Sequence, residues 1–396
     1  MNRQAGIYIH IPFCARKCTY CAFNTTDFFE DLAAHYVDAV RREIVAWGER
    51  LAESNPHRMA VDTIYFGGGT PSIVEAEQLA ALVAACHESF TVAPDAEVTI
   101  EINPATFTRQ KVEGWLAARI NRASVGVQSF IDEELARLSR THTATDARLT
   151  VAALREAGFE NISLDLIAGL PEQPLADWRF NLEEALRLDP EHLSLYLLEV
   201  KEGTQLYAQL KRGQRPQPDD DTAAEMYRMI CAATRRAGYE QYEISNFARL
   251  EPEPWKGMGS APSRFRSQHN MKYWTGAAFY GLGCGAHSYD GRARWVNLLK
   301  TDAYIATIAE RGQAIAERHE LSAEDRAAEA LFMGLRLNEG VALQPFRDEY
   351  GLDVLERFGD ELPRLTDAGL IQITEGRMML TDKGRLLSNE VFVSLI

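Results

Sequence analysis

The stretch CARKCTYCAF at residues 14–23 places Cys14, Cys18 and Cys21 within eight residues of one another. The run GIYIHIP that precedes it is apolar and β-rich, so the three thiols fall on one loop directly after the first predicted strand. In a large chain of a reducing compartment, such a crowded group of cysteines is more often a metal site than a set of disulfides. The spacing therefore predicts that one short loop wraps a metal centre.

Two kinds of metal centre suit these thiols. A structural zinc site normally uses four protein ligands, and His10 inside the first strand is a candidate for the fourth. A [4Fe–4S] cluster held by three cysteines instead keeps one iron free for an outside ligand, as catalytic metals keep an open position. We therefore predict a [4Fe–4S] cluster on Cys14, Cys18 and Cys21, with zinc as the alternative.

Short β-rich runs alternate with helix-length amphipathic runs from residue 6 onward. Six runs are typical of strands: GIYIHIP, VDTIYFGG, EVTIEIN, ASVGVQ, NISLDLIAG and HLSLYLLEV. This alternation predicts an α/β fold with a parallel sheet and right-handed crossovers. Six units are too few for a closed eight-stranded barrel, so we predict a partial (β/α)6 barrel, with a doubly wound open sheet as the alternative.

The alternation fades after about residue 240, which predicts a core at 1–240, a connecting region at 241–320 and a C-terminal domain at 321–396. In LIQITEGRMMLTDKGRLL, the EG pair between two apolar runs predicts a β-hairpin. The short helices around it predict a small α+β domain of the winged-helix type. Winged helices often bind DNA, but a net charge of −15 argues against a nucleic-acid partner and favours a structural or lid role.

The N-terminus and the hydropathy pattern bear on location. No apolar run approaches the ~18 residues that a membrane-spanning helix needs. The segment MNRQAGIYIHIPFC lacks the charged, apolar and small-residue order of a signal peptide, and it is not rich in Arg and Ser as transit peptides are. We therefore expect a cytoplasmic protein without a membrane span.

Polar residues follow several predicted strands, at the edge where α/β folds place their ligand sites. In FGGGTP, Gly68 and Gly69 permit close approach of the backbone to a ligand, although a tight turn before a helix explains the same run. Glu101 and Gln128 end the third and fourth strands, where exposed loop residues are the alternative. Asp165 lies in an apolar strand and needs a partner there, because an unpaired buried carboxylate is costly.

The motifs YIHIPFC, GGGTP, EINP, GVQSF and DLIAGLP occur here in an order that resembles the coproporphyrinogen dehydrogenase-like branch of the radical S-adenosylmethionine superfamily. The resemblance covers nearly the whole chain and implies that the open iron chelates the amino and carboxylate groups of S-adenosylmethionine. It further implies that Tyr8, Gly68 and Glu101 contact this molecule. The adjoining position, which the dehydrogenase fills with a second molecule, would be lined by Tyr20, Gly69, Thr70, Gln128, Arg140 and Asp165.

Two members of this branch are distinguished by the cysteine loop. The oxygen-independent coproporphyrinogen III dehydrogenase carries a fourth cysteine two residues after the third and a long N-terminal extension, whereas this chain has Phe23 and only thirteen residues before Cys14. CARKCTYCAF and HNMKYW at 269–274 instead resemble the haem chaperones. That resemblance implies binding of haem, its transfer to respiratory or storage apo-haemoproteins, contact with membrane-associated clients and a homodimer. Enzymatic activity stays open, with the dehydrogenase reaction as the alternative function.

His269 is the predicted haem ligand, because an imidazole can bind iron while Tyr273 or Trp274 covers the macrocycle. A surface or structural histidine is the alternative for this position taken alone. The stretch 251–268 before it is longer than the resemblance leads us to expect, and an altered loop there could change the choice of acceptor. Further candidates nearby are the axial ligands Cys284 and His287 and the propionate partners Arg264 and Arg266, which could also be solvated.

Overall fold

The computed structural model describes residues 4–54, 58–251 and 262–395, and its first half consists of alternating strands and helices. The strands of this half are β1 (Ala5–Ile11), β2 (Phe13–Cys14), β3 (Thr26–Asp27), β4 (Ala60–Gly68), β5 (Thr91–Ile102), β6 (Arg122–Gln128), β7 (Ile162–Ala168) and β8 (His192–Leu197). Its helices are α1 (Glu30–Ser54), α2 (Ala76–Ser89), α3 (Arg109–Ala117), α4 (Asp132–Arg137), α5 (Ala144–Ala157), α6 (Leu175–Arg187), α7 (Gln205–Lys211) and α8 (Asp220–Arg236), with single 3-10 turns at Pro71–Ile73 and Pro104–Thr106.

The second half adds strands to both ends of the same sheet. These strands are β9 (Tyr239–Gln241), β10 (Asn246–Arg249), β11 (Phe279–Leu282), β12 (His287–Tyr289), β13 (Ala293–Asn297) and β14 (Ile315–Glu320), accompanied by helices α9 (Gln268–Trp274) and α10 (Thr301–Arg311). The resulting order is β14-β13-β12-β11-β1-β4-β5-β6-β7-β8-β10-β9. The six predicted strands correspond to β1 and β4 to β8, and they are parallel, which confirms the predicted α/β core. β11 is a further parallel strand on the other side of β1.

The two faces of β1 show how the sheet separates core from site. Ile7, Ile9 and Ile11 are fully buried against the outer helices, as the period-two geometry of a strand requires. The alternate residues Tyr8 and His10 therefore face the interior of the barrel. The outer face holds the apolar core, and the inner face is left to polar and aromatic side chains.

A buried carboxylate fastens the added strands to α1. Glu43 is fully buried and accepts hydrogen bonds from the backbone of Gly283 at 2.8 Å, from Asn297 Nδ2 at 2.7 Å and from the Tyr304 hydroxyl at 2.6 Å. These three donors come from the end of β11, from β13 and from α10. One side chain thus ties three elements of the connecting region to the first helix of the core.

The C-terminal region forms a small unit around its own apolar core. Its elements are α11 (Ala323–Arg336), β15 (Val341–Ala342), α12 (Leu343–Tyr350), α13 (Val354–Arg357), α14 (Glu361–Asp367), β16 (Ile371–Thr374), β17 (Arg377–Leu380), α15 (Asp382–Leu386) and α16 (Ser388–Ser394). β16 and β17 form the predicted hairpin, whose turn residues Glu375 and Gly376 both have positive φ. Salt bridges from Arg336 to Glu243 and from Arg266 to Glu339 join this unit to the connecting region. Among the described helices, none is long and apolar enough to cross a membrane.

Candidate functional site

The cysteine loop leaves the barrel at the carboxyl end of β1 and is held at both of its ends. β2, which contains Cys14, pairs with β3, and the Phe28 amide donates to the Cys14 carbonyl at 3.1 Å. Between these ends, the Cys21 amide donates to the Cys18 carbonyl at 3.2 Å and forms a turn. All three thiols are partly exposed and free of disulfides. The loop therefore presents three reduced thiols in one short, anchored segment.

The zinc alternative needs His10 as a ligand, and the structure gives that imidazole other partners. Its Nδ1 lies 3.0 Å from the Tyr8 hydroxyl and its Nε2 lies 2.9 Å from the Asn24 carbonyl oxygen. Among the described residues, no three His, Cys, Asp or Glu side chains converge on a point where one metal ion could bind. In a [4Fe–4S] cluster each thiolate binds a different iron, so the thiols need no common point. The donor set fits the cluster better than zinc.

Thr70 and Arg140 reach the cysteines from the barrel. The Thr70 hydroxyl lies 3.5 Å from the Cys14 sulfur, and Arg140 Nη1 lies 3.7 Å from the Cys18 sulfur. Burial raises the pKa of the Cys14 and Cys21 thiols, and the positive charge of Arg140 opposes that rise for both. Because iron binds thiolates, Arg140 favours the form of the cysteines that a cluster requires.

The glycine run after β4 is needed for contacts within the chain. A Cβ on Gly68, whose φ is +117°, would lie 2.5 Å from the His10 ring, and a Cβ on Gly69 would lie 2.6 Å from the Pro12 carbonyl oxygen. Both glycines therefore let the strand end pack closely against the base of the cysteine loop. This packing places the Gly68 amide beside the Glu101 carboxylate, to which it donates at 3.0 Å.

Glu101 is a buried acid on the inner face of the barrel. Besides the Gly68 amide, it accepts a hydrogen bond from the Tyr65 hydroxyl at 2.9 Å. Burial raises the pKa of Glu101 to about 7, although both hydrogen bonds favour the ionised form. The ring of Tyr8 lies beside the same carboxylate, since a Cβ on Gly67 would touch both. Tyr8, Gly68 and Glu101, predicted to contact one molecule, are thus close together.

The residues predicted for the adjoining position meet around Arg140. Arg140 Nη2 donates to the Gly126 carbonyl at 2.6 Å, and the side chain of Gln128, a residue with φ of +67°, lies beside that glycine. Burial raises the pKa of Tyr20, and the charges of Arg140 and Asp165 also act on this hydroxyl. The structure therefore brings these side chains to one end of the barrel.

Asp165 has the partners that its place in an apolar strand demands. Its carboxylate accepts hydrogen bonds from the Ser124 hydroxyl at 3.0 Å and from the Ser163 hydroxyl at 3.3 Å. Burial raises the pKa of Asp165, and the serine hydroxyls and the charge of Arg122 partly offset that rise. Serine hydroxyls of β6 and β7 therefore hold this carboxylate in place.

His269 lies in α9 at the amino ends of the barrel strands, and it is 1% exposed. Its Nδ1 is 2.8 Å from the Thr63 hydroxyl, and its Nε2 is 3.0 Å from the Tyr273 hydroxyl. Burial lowers its pKa to about 3, so the ring is neutral. A haem iron needs a free ring nitrogen, and in this conformation His269 offers none. Its predicted role as the haem ligand requires one of these two hydrogen bonds to open.

The other candidates around His269 do not form one haem site with it. A Cβ on Gly6 would lie 3.1 Å from His269 Cε1, whereas Gly283, which precedes Cys284, packs against His10. The four residues from Gly6 to His10 separate these two levels by about 13 Å along β1. Cys284 is buried and its thiol contacts Thr301, so it is not the predicted axial partner of His269 in this conformation.

The aromatic and basic candidates are also engaged elsewhere. Tyr273 packs edge-on against Phe279 at 4.7 Å, and the Arg336 guanidinium covers the Trp274 ring at 4.5 Å. Arg266 is buried between Glu240 and Glu339, while the exposed Arg264 pairs with Glu251. Arg266 is therefore held in a buried pair of salt bridges, whereas Arg264 is paired but remains exposed to solvent. Most of the long stretch before His269, residues 252–261, lies outside the described residues.

Sequence reasoning missed two residues that shape the site. Tyr65 bonds Glu101 and lies two positions before Gly67 on the same strand face, so the period of β4 was a usable signal. Asn24 closes the cysteine loop, because its side chain donates to the Cys284 carbonyl at 3.3 Å and the Leu299 carbonyl at 2.9 Å. No local pattern indicates Asn24, since its partners are more than 250 residues away.

Comparison with known proteins agrees with this geometry. The Radical SAM superfamily profile matches residues 8–185, and the HemN C-terminal domain profile matches residues 321–387. The chain is 36% identical over 386 residues to the heme chaperone HemW of Bacillus subtilis, covering 97% of each protein. It is 33% identical over 409 residues to the mitochondrial "radical S-adenosyl methionine domain-containing protein 1" of Bos taurus, covering 100% of this chain and 88% of that protein.

Among solved structures, coproporphyrinogen III oxidase (HemN) from Escherichia coli, described as a radical SAM enzyme, matches with a TM-score of 0.83. The match has 25% sequence identity and covers 99% of this chain and 90% of that chain. This chain therefore shares its architecture, a mostly parallel radical SAM sheet followed by a C-terminal domain, with a protein of solved structure. This result confirms the predicted fold class.

Proposed function

Because the chain belongs to the HemW family of the radical SAM superfamily, we propose that it is a haem chaperone that binds haem and transfers it to client apo-haemoproteins. The observation that carries this proposal is the similarity to HemW of Bacillus subtilis, which extends over 97% of both proteins. Phe23 supports it, because this side chain stands where the dehydrogenase carries a fourth cysteine and is 66% exposed at the edge of the cysteine loop.

The proposed resident cofactors are a [4Fe–4S] cluster on Cys14, Cys18 and Cys21 and S-adenosylmethionine beside it. When bound, a three-cysteine cluster supplies an electron and an open iron for the cofactor. The chain's own contribution begins with Arg140, whose charge lies against the thiols and balances the negative cluster. Thr70 contacts the Cys14 sulfur and holds that side of the loop.

The residues of the inner face would bind and orient the S-adenosylmethionine. Glu101 in its ionised form accepts hydrogen bonds from an amino group, and Tyr65 and the Gly68 amide fix its position. Tyr8 lies beside this carboxylate, where it excludes water from one side. Tyr20, Gln128, Arg140 and Asp165 form a second polar surface next to the first, and binding of another molecule there is a separate proposal.

The proposed partners are haem and client apo-haemoproteins of respiration or storage, and the proposed assembly is a homodimer. The test uses the full-length protein with its cluster reconstituted under anaerobic conditions. We expect ferric haem to bind and then to leave the protein for an apo-cytochrome, giving the spectrum of the holo-cytochrome. If the protein binds haem but does not transfer it to the apo-cytochrome, the chaperone proposal is wrong and haem storage is the better description.

The second candidate function is the dehydrogenase reaction, which the 0.83 TM-score to coproporphyrinogen III oxidase favours. It is tested by incubating the reduced protein with S-adenosylmethionine and coproporphyrinogen, with the Escherichia coli oxidase as the positive control. We expect no protoporphyrinogen from this chain. Sustained product formation at the rate of the control would overturn the chaperone proposal.

A further inference from the structure

The register of the first strands arranges the interior of the barrel in layers. Three neighbouring residues of β1, β4 and β5 form the lower layer, beside α9: Gly6, Thr63 and Glu97. Three residues two positions further along the same strands form the upper layer: Tyr8, Tyr65 and Thr99. Because side chains alternate along a strand, both layers face the barrel interior, about 7 Å apart. The upper layer therefore lies between α9 and Glu101, which is two positions beyond Thr99 on β5.

The lower layer fixes the position of the His269 imidazole. Glu97 is buried, and its two carboxylate oxygens accept hydrogen bonds from the Gln268 and His269 amides, both at 3.0 Å. The Thr63 hydroxyl lies 2.8 Å from His269 Nδ1. Two neighbouring strands thus hold the first turn of α9 and the ring that it carries.

Tyr65 of the upper layer contacts both this imidazole and Glu101. Its ring centroid lies 5.2 Å from that of His269, with 31° between the ring planes. Its hydroxyl, at the other end of the side chain, donates to the Glu101 carboxylate at 2.9 Å. The Tyr8 ring lies 6.2 Å from Tyr65 and 6.3 Å from His269, so it belongs to the same group of rings. One tyrosine therefore connects the predicted haem ligand to the carboxylate proposed to bind S-adenosylmethionine.

The Tyr65 hydroxyl should be held more firmly once S-adenosylmethionine is bound. Burial raises the pKa of Glu101 to about 7, so near neutral pH its carboxyl is only partly ionised. An ammonium group beside Glu101 favours the ionised form, and a carboxylate has enough acceptor sites for this group and for Tyr65 together. The hydrogen bond from Tyr65 then becomes charge-assisted and stronger.

A firmly held Tyr65 ring would in turn assist His269 in binding iron. When Tyr273 releases Nε2, that nitrogen becomes available while Nδ1 stays bonded to Thr63. The face of the imidazole is then supported by the Tyr65 ring. Because a ligand group that is already oriented loses less conformational freedom on binding, a fixed Tyr65 raises the affinity for haem.

We propose that Tyr65 is a positioning residue that couples haem binding on α9 to S-adenosylmethionine binding at Glu101, so that each ligand strengthens the binding of the other. The inference rests on the proposed chaperone function and on the predicted role of His269, and it concerns the regulation of that site. Coupling between two binding sites is reciprocal, so each ligand raises the affinity for the other by the same factor.

The test uses the full-length protein with a reconstituted cluster, kept oxidised so that no electron is available to cleave S-adenosylmethionine. Ferric haem is titrated with and without saturating S-adenosylmethionine and followed as a difference spectrum against the haem-free protein. We expect S-adenosylmethionine to raise the haem affinity about fivefold, at the lower end of typical couplings between sites. Calorimetric titration of S-adenosylmethionine into haem-free and haem-loaded protein should give the same factor.

Variants of Tyr65 separate the two ends of its side chain. Tyr65→Phe keeps the ring beside His269 and removes the hydroxyl, so the haem affinity without S-adenosylmethionine should be unchanged while the coupling disappears. Tyr65→Leu also removes the ring and should weaken haem binding under both conditions. Tyr207→Phe is the matched control, because the Tyr207 hydroxyl likewise bonds a carboxylate, that of Glu202 on the surface at 3.4 Å. This control should keep the full coupling.

The outcomes distinguish this inference from the proposed function. Loss of coupling in Tyr65→Phe, with unchanged haem affinity in the absence of S-adenosylmethionine, supports the inference, because a merely structural defect would weaken haem binding under both conditions. Equal haem affinity of the unchanged protein with and without S-adenosylmethionine, or full coupling in Tyr65→Phe, overturns the inference and leaves the chaperone proposal standing. If the unchanged protein binds no haem, the proposed function is wrong and this inference is wrong with it.

Discussion

The Nη1 atom of Arg140 lies 3.7 Å from the sulfur of Cys18, while Nη2 of the same guanidinium donates to the Gly126 carbonyl at 2.6 Å. One side chain therefore bridges the cysteine loop and the inner wall of the barrel. The contact makes Arg140 a positive charge beside the proposed cluster. This charge should change the midpoint potential of the cluster, which can be measured.

Replacement of Arg140 by Ala should make the midpoint potential of the cluster more negative, since a nearby cation favours the reduced form. A unit charge at this range contributes on the order of 1 kcal/mol in a partly solvated site, which corresponds to tens of millivolts. The measurement is an anaerobic redox titration followed by electron paramagnetic resonance. Arg137→Ala, which removes a surface partner of Glu172, is the control and should leave the potential unchanged.

Single replacements of Cys14, Cys18 or Cys21 by Ser should each abolish the brown charge-transfer absorption after anaerobic reconstitution, because each thiolate holds a different iron. Iron and sulfide content should fall in parallel. Cys231→Ser is the matched control, because this half-buried cysteine lies on α8 and contacts Gln241. A full complement of iron in any of the three loop variants would show that the cluster has another ligand.

The affinity for S-adenosylmethionine should rise with pH through about 7, because the Glu101 carboxyl, whose pKa burial raises to about 7, must ionise to bind an amino group. Glu101→Gln should lose this step and bind about tenfold more weakly at pH 8, as a charge-assisted hydrogen bond is removed. The amino group of the ligand titrates in both experiments, so only the difference between the two curves reports Glu101. Parallel curves from calorimetric titrations would contradict the assignment.

Glu43→Ala should lower the free energy of unfolding by about 3 kcal/mol, because three buried donors would lose their common acceptor. Urea denaturation followed by tryptophan fluorescence reports the change, since Trp47 lies on the same helix and packs on the added strands. Glu49→Ala, an exposed site of α1, is the control and should change the stability little. Equal midpoints for the two variants would show that the buried network contributes nothing.

The six strands of the core could be predicted because each is a long apolar run in its own right, as ISLDLIA of β7 illustrates. β11 could not, since FYGL is only four residues long and contains a glycine. What makes it a strand is its parallel pairing with β1, a partner distant in sequence. Local periodicity carries no information about such a pairing.

The residues of the site also include some that the sequence could predict and some that it could not. Cys14, Glu101 and Asp165 were predicted because their chemistry is unusual at their positions, and the structure brings them to one end of the barrel. His269 stays a predicted haem ligand, but HNMKYW does not reveal that α9 packs at the amino ends of the strands with the imidazole hydrogen-bonded to Thr63. Residue type predicts what a side chain can bind, whereas long-range packing decides whether a ligand can reach it.

The pairing of β1 with β11 also has a consequence for synthesis on the ribosome. Phe279, the partner of Gly6 in β11, is made 273 residues later, so β1 has a neighbouring strand on both sides only after that point. At about 5–20 residues per second this delay is roughly 15–60 seconds. The acceptors of the Asn24 side chain, Cys284 and Leu299, are likewise made 260 and 275 residues after it. The cysteines therefore emerge long before the residues that anchor their loop, so we expect stable iron uptake to follow release of the connecting region from the ribosome.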